Sequence, residues 1–239
     1  MLVAAAVCPH PPLLVPDLAA GAAAELDGLR AACDDVVAGL LATDPDLLVV
    51  VGESPSVGPF PPDAWGSLAG YGVDIRVGQG AGEPTLPLSL TLGRWLVSRC
   101  RGAATALCFG VSGDAGADRC AQIGAALADR AERVAMLAMG DGSARRSLKG
   151  PGYLDARAAP FDASVAAALR AGDPAALLSL DAALADDLLV AGRSSWQVLA
   201  GAAAARSGQW RGEVTFDDAP YGVAYFVAAW TPAETASLP

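Results

Sequence analysis

Four short runs constrain this chain more than any other feature: Leu2–Cys8, Leu47–Val51, Thr105–Val111 and Val134–Met139 are apolar at almost every position. An amphipathic strand alternates apolar and polar residues. A strand apolar at both parities must be covered on both faces, and that is the signature of a parallel sheet between two layers of helix. The intervening segments supply those helices. Residues 18–42 place Leu26, Leu29, Cys33, Val36, Val37 and Leu40 at helical spacing, with Pro16 and Asp17 marking the start. Helices are also predicted over Leu88–Arg101 and Ala117–Glu132. The expected fold class is therefore α/β, with a mostly parallel central sheet and helices on both faces.

The remainder of the chain fills in this frame. Residues 54–72 are rich in proline and glycine and read as a long loop, a kind of segment that is often functional in a compact domain. Val73–Val77 reads as a short edge strand, and residues 144–160 as a second irregular loop. Helices are expected at Phe161–Ala171 and Ala175–Leu180, then a long one over Ala183–Arg206, kinked at Gly192. The tail changes character: Val214–Phe216 and Tyr221–Trp230, joined by Asp217-Asp218-Ala219-Pro220, read as a C-terminal β-hairpin. With no internal repeat or break in composition, 1–239 is expected to form a single domain.

Composition narrows the partners. Sixteen basic residues, of which Lys149 is the one lysine, face 26 acidic ones, for a net charge of −10. Such a surface repels phosphate backbones and anionic lipid heads, so neither nucleic acid nor a membrane is an expected partner. No apolar stretch is long enough to cross a bilayer, and the N-terminus lacks the basic region and cleavage site of a signal peptide. The five cysteines (Cys8, Cys33, Cys100, Cys108, Cys120) are odd in number and form no C-x-x-C, which fits reduced thiols and a cytoplasmic location. The single histidine, His10, excludes any mechanism needing two histidines from one chain.

Ligands of parallel sheets bind outside the carboxyl ends of the strands. Here those ends read Cys8-Pro9-His10, Gly52-Glu53-Ser54, Ser112-Gly113-Asp114 and Asp141-Gly142-Ser143. If the strands are neighbours, His10, Glu53, Asp114 and Asp141 converge. Prolines on either side hold His10 in place, which suits a functional group, although a lone histidine also serves as a hydrogen-bonded structural residue. Glu53 would act as a base if desolvation raised its pKa. Cys8 and His10, two apart, could face one side of an extended segment and join Glu53 or Asp141 around a metal; Cys8 reads equally as a small buried hydrophobe. Asp141-Gly142-Ser143 and Ser112-Gly113-Asp114 also read as tight turns. There is no G-x-S-x-G elbow and no phosphate-binding loop.

Three segments together resemble a known family. Val7-Cys8-Pro9-His10-Pro11-Pro12-Leu13-Leu14-Val15 is similar to the N-terminal HPPLL segment found in the catalytic chains of class III extradiol ring-cleavage dioxygenases, which share a fold with the Memo proteins. Gly140-Asp141-Gly142-Ser143-Ala144-Arg145 resembles the family's G-D-x-S-H-R turn. Pro220-Tyr221-Gly222-Val223-Ala224-Tyr225 resembles the C-terminal strand of a divergent bacterial branch.

The resemblance implies a ferrous ion held by two histidines and a glutamate, with a further histidine as acid/base. Carried over by position, His10 matches the first ligand, Ser56 stands where the second histidine belongs, and Ala144 replaces the acid/base histidine. No carboxylate occupies Val190-Ala191-Gly192, where the glutamate is expected; Asp186 and Asp187 lie upstream. The expectation is a dioxygenase-like protein with a degenerate iron site and no resident cofactor, His10 remaining as a remnant ligand. Its cleft, lined by His10, Glu53, Ser54, Ser56, Asp114, Asp141, Ser143 and Tyr221, would bind a small molecule, an aromatic one by resemblance. Two alternatives stay open. One is an active oxidoreductase or hydrolase with a site rebuilt from His10, Glu53 and Asp141. The other is a non-catalytic interaction protein using the aromatic tail around Phe226 and Trp230. The family's habit of oligomerising implies a homodimer.

Overall fold

The structure, a computed structural model, describes residues 1–100 and 106–233. The expected helix to Arg101 and strand from Thr105 therefore run partly outside the described residues.

All four apolar runs form neighbouring parallel strands. They are β1 (Leu2–Cys8), β2 (Leu47–Glu53), β6 (Leu107–Val111) and β7 (Val134–Met139), in the spatial order β6-β2-β7-β1. Their alternate residues enter two separate cores. Val49, Val51, Met136 and Ala138 face one side; Leu48, Val50, Leu137 and Met139 face the other. This double burial is why neither parity of these strands tolerates a polar residue.

Connections follow the usual handedness rule. The chain leaves β1 through a short helix, α1 (Pro16–Ala19), a 3-10 stretch (Ala20–Leu26) and α2 (Asp27–Ala42). It then steps from β2 to β6 through α3 (Leu88–Arg99), and both α2 and α3 pack on the Leu48/Val50 side. The return from β6 to β7 runs through α4 (Ala117–Ala128), on the opposite side with Val49 and Val51. A constant crossover hand requires this switch of face when travel along the sheet reverses. Three more helices, α5 (Ala158–Ala171), α6 (Pro174–Leu178) and α8 (Arg193–Ala204), share the α4 face, and α7 (Ala182–Asp187) precedes α8.

The C-terminal hairpin forms as expected, with its first strand longer and its second starting at Tyr225 rather than Tyr221. Its strands, β8 (Trp210–Asp218) and β9 (Tyr225–Pro232), pair antiparallel, and β9 adds antiparallel to β1. Phe226 and Trp230 are 0% and 2% exposed, so the aromatic tail is core rather than the docking surface that the sequence suggested. Trp230 gives its indole N–H to the Leu169 carbonyl at 2.7 Å, which lets a polar atom sit in that core.

Two other expectations fail for local reasons. Val73–Val77 shrinks to β5 (Arg76–Val77), which pairs with β4 (Gly66–Ser67) in a separate two-stranded sheet; the edge of β6 is covered instead by β3 (Gly58–Pro59). The expected long helix over Ala183–Arg206 is broken, because residues 188–192 are not helical and Leu189 has φ of 57°. Gly192 explains the break. A Cβ there would lie 2.1 Å from Trp196 Cζ2, and a Cβ on Gly140 would lie 2.3 Å from Gly192 Cα. The chain passes too closely over the end of β7 for a continuous helix to fit. No helix among the described residues is long and apolar enough to cross a membrane.

Candidate functional site

The carboxyl ends of β1, β2 and β6 open onto one cleft of about 360 Å³, bordered by His10, Glu53, Ser54, Ser112, Gly113 and Ala191, with Pro55, Pro87 and Leu88 completing its wall. Sequence order alone would not bring these residues together; the β6-β2-β7-β1 arrangement does.

His10 is held from its backbone. Its N–H donates to Asp141 Oδ1 at 2.7 Å, and the Gly140 N–H donates to the Cys8 carbonyl at 2.9 Å, so the ends of β1 and β7 are tied together. The imidazole is 9% exposed, and its Nδ1 lies 3.6 Å from Asp141 Oδ1, too far for a hydrogen bond and sealed from other partners. With Nδ1 on that side, Nε2 is the nitrogen left to meet a ligand.

Glu53 closes β2. Its carbonyl accepts from Ser89 Oγ at 2.7 Å, pinning the first turn of α3 to the strand end. Its carboxylate lies against Gly113, where a Cβ would come 2.6 Å from Oε1, so position 113 accepts only glycine without displacing the acid. Burial by the surrounding chain raises the Glu53 pKa above the usual carboxylate range. The charges of His10 and Arg193 pull it down, and those of Asp186 and Asp114 push it up. Glu53 still reaches solvent, which moderates the shift.

Arg193 is a neighbour of the cleft that the sequence does not announce. It is 3% exposed and donates to the carbonyls of Gly113 and Ala115 at 2.5 and 2.9 Å and to Gln197 Oε1 at 3.0 Å. It thus fixes the loop after β6 and sets a positive charge behind Glu53. Nothing in a helical segment after a glycine distinguishes such an arginine from a solvated one. Asp186 lies upstream of the expected ligand position, yet its charge reaches Glu53 because the break at 188–192 folds α7 back toward the cleft.

The other expected site residues separate. Ser54 is 3% exposed, borders the cleft and accepts the Ser56 N–H on its Oγ at 3.1 Å. Ser56 itself is exposed and does not border the cleft. Asp114 is exposed at the rim, accepting from Ser112 Oγ. Ser143 is fully buried away from the cleft; its N–H and Oγ both donate to Asp162, at 2.9 and 2.5 Å, and Asp162 also pairs with Arg146 at 3.1 Å. That network anchors the loop after β7. The Tyr221 hydroxyl donates to Glu25 at 2.9 Å instead of turning to the cleft. Tyr225, in contrast, is 3% exposed, and Asp141 and Tyr221 add to burial in raising its pKa.

The residues present do not fit a resident iron. Among the described residues, no group of three or more His, Cys, Asp or Glu is placed to hold a metal ion. Asp141 Oδ1 is already occupied by the His10 N–H, and Ala191 stands on the cleft wall where the resemblance calls for a carboxylate. What the arrangement offers is an imidazole held in place through its backbone and a carboxyl group of raised pKa bordering the same small cleft.

No family model and no curated protein matches the chain. Among solved structures, it is similar to an uncharacterised protein from Escherichia coli K12, JW3007, at 16% identity over 96% of this chain and 99% of that one, with a TM-score of 0.49.

Proposed function

We propose that this protein is an extradiol dioxygenase-like domain without the family's iron centre, whose cleft binds a small molecule, a single-ring aromatic being the class implied. The observation that carries the reading is the wall of the cleft itself. His10, the matched ligand position, and Ala191, at the position of the glutamate ligand, border the same 360 Å³ space. Two positions of the family's pattern thus share one wall, and neither carries a carboxylate; Ser56, the third, does not border it. The volume falls at the low end for small-molecule sites, which suits one ring rather than a dinucleotide. Calorimetric titration of the metal-free chain with catechol and with phenol, two uncharged single rings, tests this. Saturable binding of either, weakened about tenfold or more by Ala191→Phe with an unchanged melting temperature, is expected. Absence of saturable binding by both probes, or binding indifferent to Ala191→Phe, overturns it.

A second reading is metal-independent proton transfer within the same cleft. It is favoured by the Asp141 bond to the His10 backbone, which fixes that residue at the cleft wall, and by the raised pKa of Glu53 on the same wall. In that reading His10 Nε2 accepts a proton and the Glu53 carboxyl returns one. Turnover of any bound compound would then be abolished by Glu53→Gln while binding persisted.

A further inference from the structure

A second cavity, of about 760 Å³, lies between the far end of α3 and the small β4–β5 sheet, and its chemistry is opposite to that of the first. Its polar lining comprises Arg76, Arg94, Gln79, Ser98 and a single acid, Asp63, with Trp95 as its aromatic wall. In a chain of net charge −10, two guanidiniums against one carboxylate is a local reversal of sign.

Both arginines are held in place without being neutralised. Arg94, half-buried, donates Nη1 to the Ala64 carbonyl at 2.6 Å and Nη2 to the Pro62 carbonyl at 3.1 Å. A guanidinium carries five N–H groups, so three remain. Arg76 sits over the Trp65 ring, its Cζ 3.8 Å from the centroid, and makes no hydrogen bond to protein among the described residues. Neither forms an ion pair there, whereas Arg99, Arg146, Arg157 and Arg170 all do. Carbonyl contacts and ring stacking fix orientation but leave the charge unanswered. Forks preset in this way are the donors that recognise planar or tetrahedral oxyanions, because little side-chain freedom is lost on binding. The volume is far more than an inorganic ion fills and suits an organic molecule.

We propose that this cavity binds an organic oxyanion, a phosphate- or carboxylate-bearing small molecule whose charged group bridges Arg76 and Arg94. The site is separate from the strand-end cleft: Leu88 borders that cleft and Trp95 this cavity, and the seven helical steps of α3 from one to the other span roughly 10 Å. The inference does not rest on the function proposed for the cleft.

Titration calorimetry of the full chain at constant ionic strength tests it, with phenyl phosphate, benzoate and inorganic phosphate as probes. Wild-type protein is expected to bind phenyl phosphate or benzoate saturably, and which of the two binds more tightly identifies the oxyanion. Inorganic phosphate is expected to bind more weakly than phenyl phosphate. Arg76→Gln, at an exposed position, should weaken binding about tenfold or more, and Arg76→Lys should recover part of it. Arg94→Gln should do the same if its melting curve matches wild type. His10→Ala should change nothing. Failure of all three probes to bind, binding unaffected by Arg76→Gln, or binding lost in His10→Ala would each overturn the proposal.

Discussion

Glu53 is the cleft side chain whose titration the fold shifts. Its pKa is raised in the folded protein, chiefly by burial, so the native state holds that proton more tightly than the unfolded chain does. Stability contributed by Glu53 therefore falls as pH rises from its ordinary value through the raised folded value. The cost is absent below that window and complete above it. Replacing the carboxylate by a neutral amide removes the cost. Glu53→Gln is expected to raise stability at pH 7 by a few tenths of a kcal/mol, a small figure because the group still reaches solvent, and to change nothing at pH 3. Urea denaturation at the two pH values checks this; a loss of stability at pH 7 would show that the carboxylate is better paired than its surroundings imply. Glu53 and His10 are legible in the sequence because each directly follows or ends an apolar strand. Arg193 and Asp186 are not. Their roles come from how a helix breaks and docks, and residue spacing does not encode that.

At the level of elements, the abundance of alanine and glycine has a local cause. The helices α4 and α8 cross with their backbones in contact. A Cβ on Gly124 would meet the Val198 carbonyl oxygen at 2.0 Å and the Ala202 nitrogen at 2.5 Å, and one on Gly201 would meet Ala121 Cα at 2.4 Å. Gly124→Ala must therefore push the two helices apart, at a cost of about 1–3 kcal/mol. Gly39, inside α2 with open space around it, is the control: Gly39→Ala should stabilise by about 0.5–1 kcal/mol. Thermal melts of the two variants should move in opposite directions, and a shared direction would contradict the packing described. The four parallel strands are readable because their two-sided burial is written in composition at both parities. Val73–Val77 and the break at 188–192 escape a reading by pattern because pairing partners and close backbone passages are set by the rest of the fold.

The whole molecule brings the carboxyl ends of three parallel strands to a small cleft and closes the other edge of its sheet with an antiparallel hairpin. Long-range contacts bring the segment after β1 and the turn before α8 to one wall, with His10 and Ala191 on it, and tie His10 to the aspartate after β7. The central claim is that this cleft works without a resident iron. Its most direct test is elemental analysis of untagged protein reloaded anaerobically with ferrous iron and then desalted, beside His10→Ala treated identically. The account predicts far less than one iron per chain in both proteins and no difference between them. One iron per chain in the wild type, lost in His10→Ala and accompanied by oxygen-dependent consumption of catechol, would contradict it.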